Sequence, residues 1–318
     1  MTSISIVVPV YRSAESLSEF VTTVLPVVSG LTSSYEIIFV NDGSPDDSWS
    51  VIETLSQQDT HVRGINLMRN YGQHSALLCG IRAARYDLII TMDDDLQHPP
   101  EAIPLLLKTL EEGNFDVVYG SPEDEAHSFF RNLASQITKW ALQSSMGVST
   151  ARKVSAFRIF RTNLRNAFTE YRSPYVSIDV LLTWGTTRFT AITVAHRTRK
   201  YGQSNYTLRK LVNHAFNMIT GFTVVPLQIA SLLGFTLALF GLFILIYVIG
   251  RYLIEGGSVP GFPFLAAVIA IFSGAQLFGM GMIGEYLARI HFRSMDKPPY
   301  TVRNTAEFTQ KNIEQDLS

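Results

Sequence analysis

Between Lys210 and Arg251 the chain carries no Asp, Glu, Lys or Arg, an uncharged stretch of about 40 residues, and a second stretch of nearly 30 runs from Gly256 to Gly284. A helix needs only about 20 apolar residues to cross the hydrocarbon core of a bilayer. Two spans are therefore expected, Leu227–Tyr252 and Phe262–Tyr286, joined by a tight connection containing Gly256, Gly257, Pro260 and Gly261. The competing reading is a helical pair buried inside a soluble enzyme. Phe235–Ile249 has no polar face to present to water, which weighs against it.

Basic residues flank the pair on its outer sides. Arg199, Lys200, Arg209 and Lys210 precede it, and Arg289, Arg293 and Lys297 follow it. The positive-inside tendency then places both chain ends in the cytoplasm. Met1–Tyr11 lacks a basic segment followed by a long apolar core, so no signal peptide is expected. Glu285 should pair with Arg289 one turn later. Gly274, Ala275, Gly279, Gly281 and Gly284 permit close helix approach, within the pair or between subunits.

The first half has a different solvent. Apolar runs at Ile4–Val10, Glu36–Asn41, Val62–Leu67, Tyr86–Met92 and Phe115–Tyr119 read as strands. Helical patterns lie between them, near Ala14–Ser29, Asp46–Gln57, Gln73–Ala84 and Glu101–Glu112. This alternation predicts an α/β fold with a mostly parallel sheet covered on both faces. Neither a glycine-rich dinucleotide fingerprint nor a Walker loop is present, which disfavours a dehydrogenase. With 26 Lys+Arg against 27 Asp+Glu, net charge gives no argument for nucleic acid. The single cysteine, Cys79, rules out an internal disulfide and reads as a small core residue.

Asp93, Asp94 and Asp95 follow the fourth apolar run and precede Leu96-Gln97-His98-Pro99-Pro100. Carboxylates at a strand's carboxyl end sit where open α/β sheets bind ligands. If the strand alternation continues, Asp93 and Asp95 face the same way and can share one hard cation, with Gln97 adding a neutral oxygen. Oxygen-only ligands suit Mg²⁺ or Mn²⁺, which usually combine few carboxylates with substrate phosphates. The alternative is an acidic loop that caps the helix beginning near Pro99 or Pro100.

Two further segments have amphipathic spacing. Leu208, Leu211, Val212, Ala215, Phe216 and Ile219 form one apolar stripe; Phe129, Phe130, Leu133, Ile137 and Trp140 form another. Each can lie at the headgroup level or pack on its own domain as an ordinary surface helix.

Taken in order, several strings resemble the inverting polyprenyl-phosphate glycosyltransferases of glycosyltransferase family two. These are Val8-Pro9-Val10-Tyr11, Asn41-Asp42-Gly43-Ser44, Arg69-Asn70-Tyr71-Gly72-Gln73-His74-Ser75, Asp93 to Pro100, Phe157-Arg158-Ile159-Phe160-Arg161, Arg199-Lys200-Tyr201-Gly202-Gln203-Ser204 and Gly279 to Tyr286. The resemblance covers nearly the whole chain. It implies a GT-A (Rossmann-like) domain over residues 1–205, a juxtamembrane amphipathic helix over 206–225, a two-span hairpin over 226–288 and a cytoplasmic tail over 289–318, polar and loosely ordered from about Asn304.

The resemblance also implies residue roles. Pro9, Tyr11 and Asp42 would lie near the base and ribose of a nucleotide-sugar donor, with Asp93, Asp95 and Gln97 around a divalent metal (Mg²⁺ or Mn²⁺). Arg131 and Ser135 match an acceptor-phosphate site, and Arg199 matches an arginine holding the donor diphosphate. Arg is suited to bidentate bonding with phosphate oxygens. Asp94 is left to orient donor or acceptor, so that Asp94, Asp95 and Arg131 form the expected catalytic set.

The implied reaction is sugar transfer, with a UDP-sugar as the expected donor, to undecaprenyl or another polyprenyl phosphate at the cytoplasmic face of the inner membrane. Its product would serve cell-envelope glycan modification. The glycine-rich span face and the resemblance imply a homo-oligomer, a tetramer being one form. Arg12 and Ser13 replace the acidic residue usual after the first-strand Tyr, Asp94 stands where Ala is common, Pro122 and Glu123 replace an arginine, and Ala156 precedes Phe157 where some relatives have an aspartate. Two other readings remain: a processive polysaccharide synthase, though none of Trp49, Trp140 and Trp184 follows an Arg, and a catalytically silent membrane scaffold.

Overall fold

A computed structural model describes residues 2–122, 153–195, 197, 225–255 and 261–308. The strands are β1 (Ile4–Val10), β2 (Tyr35–Asn41), β3 (Val62–Leu67), β4 (Leu88–Thr91), β5 (Val117–Pro122), β6 (Arg158–Arg161), β7 (Phe189–Val194) and β8 (Val302–Ala306). The helices, in our numbering, are α1 (Leu17–Ser29), α2 (Ser48–Gln58), α3 (Gln73–Ala83), α4 (Ile103–Glu112), α5 (Ile178–Thr183), α6 (Val225–Glu255) and α7 (Phe262–Ser294). Short 3₁₀ turns occupy Pro100–Ala102 and Thr162–Phe168.

All eight strands form one sheet in the order β7-β5-β6-β4-β1-β2-β3-β8. β3, β2, β1 and β4 run parallel, β6 is antiparallel between β4 and β5, and β8 is antiparallel on the outer edge of β3. Every residue of β1 and β2 is buried, as expected of strands covered on both faces. On one face Val7, Ile38, Val40 and Leu67 pack with Leu77, Leu78 and Ile81 of α3. On the other, Ile6, Val8, Ile37 and Phe39 pack with Phe20, Val24 and Leu106 from α1 and α4. At about 25 cal/mol per Å² of apolar area removed from water, these layers hold the sheet together. Cys79 is in the first layer, and burial pushes its thiol up to about 12 despite the Tyr300 hydroxyl and Arg82, so it is an inert core residue.

The strands and helices follow the sequence expectation with shifted ends. β4 is shorter than Tyr86–Met92, and α1 begins at Leu17 because residues 13–16 close a turn through the Ser16 N–H and Ser13 C=O. The larger difference is at the C-terminal end. Instead of the loose order expected from about Asn304, Val302–Ala306 pairs with β3. An unpaired β3 edge would leave a row of backbone groups open, and β8 fills it.

Pro226–Ile254 within α6 is, among the described residues, the one helix long and apolar enough to cross a membrane, with a mean hydropathy of 2.7. α7 runs beside it: a Cβ on Gly241 would meet the Phe272 ring. α6 extends past both expected span ends and α7 past the C-terminal one only, and in α7 Arg289 bonds Glu285 at 2.8 Å as expected. Arg289 also lies over the Tyr175 ring, 4.6 Å from its centroid, which joins α7 to the loop before α5. The two amphipathic stripes at 129–140 and 208–219 lie outside the described residues.

Candidate active site at the carboxyl ends of β1 and β4

The strand order reverses between β1 and β4, and the crevice outside such a switch point is where open α/β sheets bind ligands. Pro9 lies within β1, and Tyr11 follows it, exposed just past the strand's carboxyl end. Arg12 adopts φ +59° and donates its N–H to Ser44 Oγ at 2.8 Å. The Ser13 N–H bonds Ser48 Oγ at 3.1 Å and the Ala14 N–H bonds Asp46 Oδ2 at 3.3 Å. Burial alone would raise the Asp46 carboxyl, but the Ser44 and Ser48 hydroxyls and the Ala14 and Ser48 N–H groups bring it below the usual range. The loops after β1 and β2 are thereby locked together.

Asp42, at the end of β2, accepts the Tyr71 N–H at 2.7 Å on one oxygen and the Gly72 N–H at 2.8 Å on the other. Burial raises its carboxyl, against the lowering effect of those two N–H groups and of Arg69. Its part in the geometry is thus to hold the loop after β3. Gly43 follows at φ +61°, and a Cβ there would strike the Arg69 backbone, so only glycine fits.

The acidic run does not continue β4. Asp94 and Asp95 sit in a turn, Leu96 takes φ +57°, and the Gln97 N–H closes onto Asp95 Oδ1 at 3.1 Å. The expected strand alternation of Asp93 and Asp95 is therefore replaced by turn geometry, because a short polar side chain competes with the ladder for its neighbour's N–H. Asp93 Oδ1 instead accepts Gln73 Nε2 at 2.7 Å, from the first residue of α3. Burial pushes Asp94 up to about 7, opposed by a hydrogen bond from Ser13 and reinforced by the charges of Asp93 and Asp95. Asp94 Oδ2 is buried and has no hydrogen-bond partner among the described residues.

Asp93, Asp95 and Gln97 offer oxygen donors only, next to that orphaned carboxylate oxygen, which fits a hard divalent cation. No three His, Cys, Asp or Glu side chains converge among the described residues. Arg131, Ser135 and Arg199 lie outside the described residues. Arg197, two residues before Arg199, donates its N–H to the Gln97 C=O at 2.9 Å and its Nη2 to both oxygens of Glu101 at 3.0 Å.

Behind the acidic turn lies a buried polar group that sequence reasoning missed. Arg158 of β6 pairs with Asp179 of α5 and donates Nε to Thr91 Oγ1 at 3.0 Å, while Tyr119 donates to Asp179 at 3.0 Å. Arg158 is only 2% exposed, so its charge must be met inside the fold. Its Phe-Arg string is visible as a motif, but no sequence signal links it to Asp179.

The sequence profile described as Glycosyl transferase family 2 matches residues 5–171. Undecaprenyl-phosphate 4-deoxy-4-formamido-L-arabinose transferases from Yersinia pestis (strain Pestoides F) and Yersinia pseudotuberculosis serotype O:3 (strain YPIII) are each 37% identical over 317 residues, spanning 99% of this chain and 97% of theirs. Among solved structures, glucosyl-3-phosphoglycerate synthase from Mycobacterium tuberculosis shares the fold. Its phosphoglyceric acid complex has a TM-score of 0.51 at 18% identity, covering 69% of this chain and 78% of that one. Its complex with Mn²⁺ and uridine-diphosphate-glucose gives 0.51 at 16% identity, covering 69% and 77%.

The sheet order and the likeness to these solved structures thus define a GT-A fold. The profile match and the full-length likeness then fix the family: the chain belongs to glycosyltransferase family 2.

Proposed function

We propose that this enzyme transfers a sugar from a nucleoside diphosphate, uridine being the favoured base, to the phosphate of undecaprenol or a similar polyprenol. The observation that carries this reading is the 37% identity to undecaprenyl-phosphate sugar transferases across 97% of their length. The long apolar helix Pro226–Ile254 supports it, because a lipid acceptor keeps its phosphate at a membrane surface.

One acceptor phosphate oxygen attacks the anomeric carbon in line, the bond to the diphosphate breaks, and the nucleoside diphosphate leaves with inversion. A phosphate monoester has a second pKa of about 6, so the nucleophile is largely dianionic near neutral pH and a strong general base is not required. Asp93, Asp95 and Gln97 would hold Mg²⁺ or Mn²⁺. When bound, the ion offsets charge on the leaving diphosphate. Asp94, whose carboxyl is raised by burial, lies between Asp93 and Asp95 in the same turn and is left to orient donor or acceptor. Pro9, Tyr11 and the loop held by Asp42 border the nucleotide. Arg199 would grip the donor diphosphate, and Arg131 with Ser135 the acceptor phosphate, with Arg131, Asp94 and Asp95 as the catalytic set. Catalysis then rests on positioning and charge placement.

In the proposed arrangement residues 1–205 form the cytoplasmic catalytic unit, 206–225 lie along the membrane surface, and α6 with α7 span the inner membrane as a hairpin. Subunits associate as a homo-oligomer, with glycines of α7 available for close contact. The test is to incubate purified protein with undecaprenyl phosphate and a panel of radiolabelled nucleotide sugars. A lipid-extractable labelled product from one donor is expected; label that stays water-soluble with every donor refutes the reading.

A further inference from the structure

We propose that Arg303 and Asn304, on the strand that follows the second long helix, are positioning residues for the loops that border the donor. The proposal rests on the donor reading above and adds to it a role for a segment outside the matched profile, which ends at residue 171.

β8 and the residue before it, Thr301, grip the root of the β3–α3 loop from both sides. The Met68 N–H is donated to the Thr301 C=O at 2.9 Å, and the Met68 C=O accepts Arg303 Nη2 at 3.0 Å. Three and four residues further on, Tyr71 and Gly72 give their N–H groups to Asp42. The same strand completes a ladder of three amides, one each from β2, β3 and β8. Asn41 Nδ2 donates to Asn66 Oδ1 at 2.9 Å, and Asn66 Nδ2 donates to Asn304 Oδ1 at 3.0 Å.

The register places these residues side by side, Asn41 opposite Asn66 and Asn66 opposite Asn304. Asn41 immediately precedes Asp42 and is 2% exposed. Its Oδ1 has no hydrogen-bond partner among the described residues, so the ladder supplies the side-chain hydrogen bond that orients it. At the far end of β8, Glu307 bonds Arg63 at 2.9 Å and Arg85 at 3.0 Å, which pins the strand along its length.

The alignment of donors in the ladder gives a directional test, because Asn304 must supply an acceptor and not a donor. In full-length enzyme, UDP affinity by titration calorimetry, donor KM, kcat and thermal midpoint are measured for Asn304→Leu, Asn304→Asp, Arg303→Met and the Arg303→Met/Asn304→Leu double variant. Asn304→Asp keeps an oxygen for Asn66 and is expected to stay within about twofold of wild type, whereas Asn304→Leu and Arg303→Met each weaken UDP binding by about fivefold. The double variant should raise donor KM further with little change in kcat. Unchanged UDP affinity in Asn304→Leu and Arg303→Met, with loss confined to the thermal midpoint, overturns the proposal. So does an Asn304→Asp variant as damaging as Asn304→Leu. Wild-type enzyme that takes up no UDP overturns the donor reading itself, which separates the two failures.

Discussion

The side-chain amide of Gln73 lies 2.7 Å from Asp93 Oδ1, so the first residue of α3 and the acidic turn after β4 are joined across the crevice. A hydrogen bond to an ionised carboxylate is stronger than a neutral one, and here it comes from the positive end of a helix. Asp93 is therefore held in one orientation before any ligand arrives.

Removing that brace should show in metal requirement. Gln73→Leu is expected to raise the Mn²⁺ concentration for half-maximal transfer several-fold with little loss at saturating metal, whereas Asp95→Ala abolishes transfer at any concentration. Titrating activity against Mn²⁺ and Mg²⁺ checks both. Full activity of Asp95→Ala would sink the metal assignment.

Asp42 holds two backbone N–H groups of the neighbouring loop. Hydrogen bonds to charged groups are worth about 1.5–3 kcal/mol each, so Asp42→Ala should cost about 3 kcal/mol in stability and markedly weaken donor binding. Asp42→Asn keeps one acceptor and should lose about half as much. Thermal unfolding and donor KM measured on the same preparations provide the comparison.

Arg158 and Asp179 form an ion pair inside the fold, with Tyr119 and Thr91 as further partners. Breaking a buried pair by removing one member leaves the other charge uncompensated and costs about 3–5 kcal/mol. Arg158→Met alone is expected to lower the thermal midpoint sharply, and Arg158→Met/Asp179→Leu to recover most of the loss. A double variant no better than the single one would show that the residues act separately.

Asp116 gives a pH dependence with a defined sign. Burial would raise its carboxyl, but hydrogen bonds from Arg188 and Thr186 and the charges of Arg188 and Arg161 hold it below the usual range. A group whose folded pKa is depressed stabilises the fold fully above its unfolded value, about 3.9, and loses that contribution as pH falls through the folded value. Wild type should therefore lose more of its thermal midpoint than Asp116→Asn between pH of about 5 and the acid limit, on the order of a few degrees. Parallel curves for the two proteins would refute the assignment.

Much of this was legible in the chain. Apolar runs with turn signals located β1 to β5, and the charge-free stretches located α6 and α7, because burial on both faces of a sheet and a long uncharged apolar helix each leave a compositional trace. The acidic run was placed correctly at the end of β4. Its local shape was not: Leu96 at positive φ is set by the turn it closes, not by its own preference. β8 was missed because Val-Arg-Asn-Thr-Ala has neither an apolar run nor a buried face, and only the open edge of β3 makes it a strand. Arg158 escaped notice as a core residue because arginine is seldom buried without a partner, and Asp179 is supplied by a distant helix. Arg131, Ser135 and Arg199 lie outside the described residues.

In chain order the strands run from β1 to β8, and all of α6 and α7 is translated between β7 and β8. On a ribosome, the edge beside Asn66 stays open until both long helices have emerged. The last strand therefore reaches the edge of β3 only after both long helices have been made.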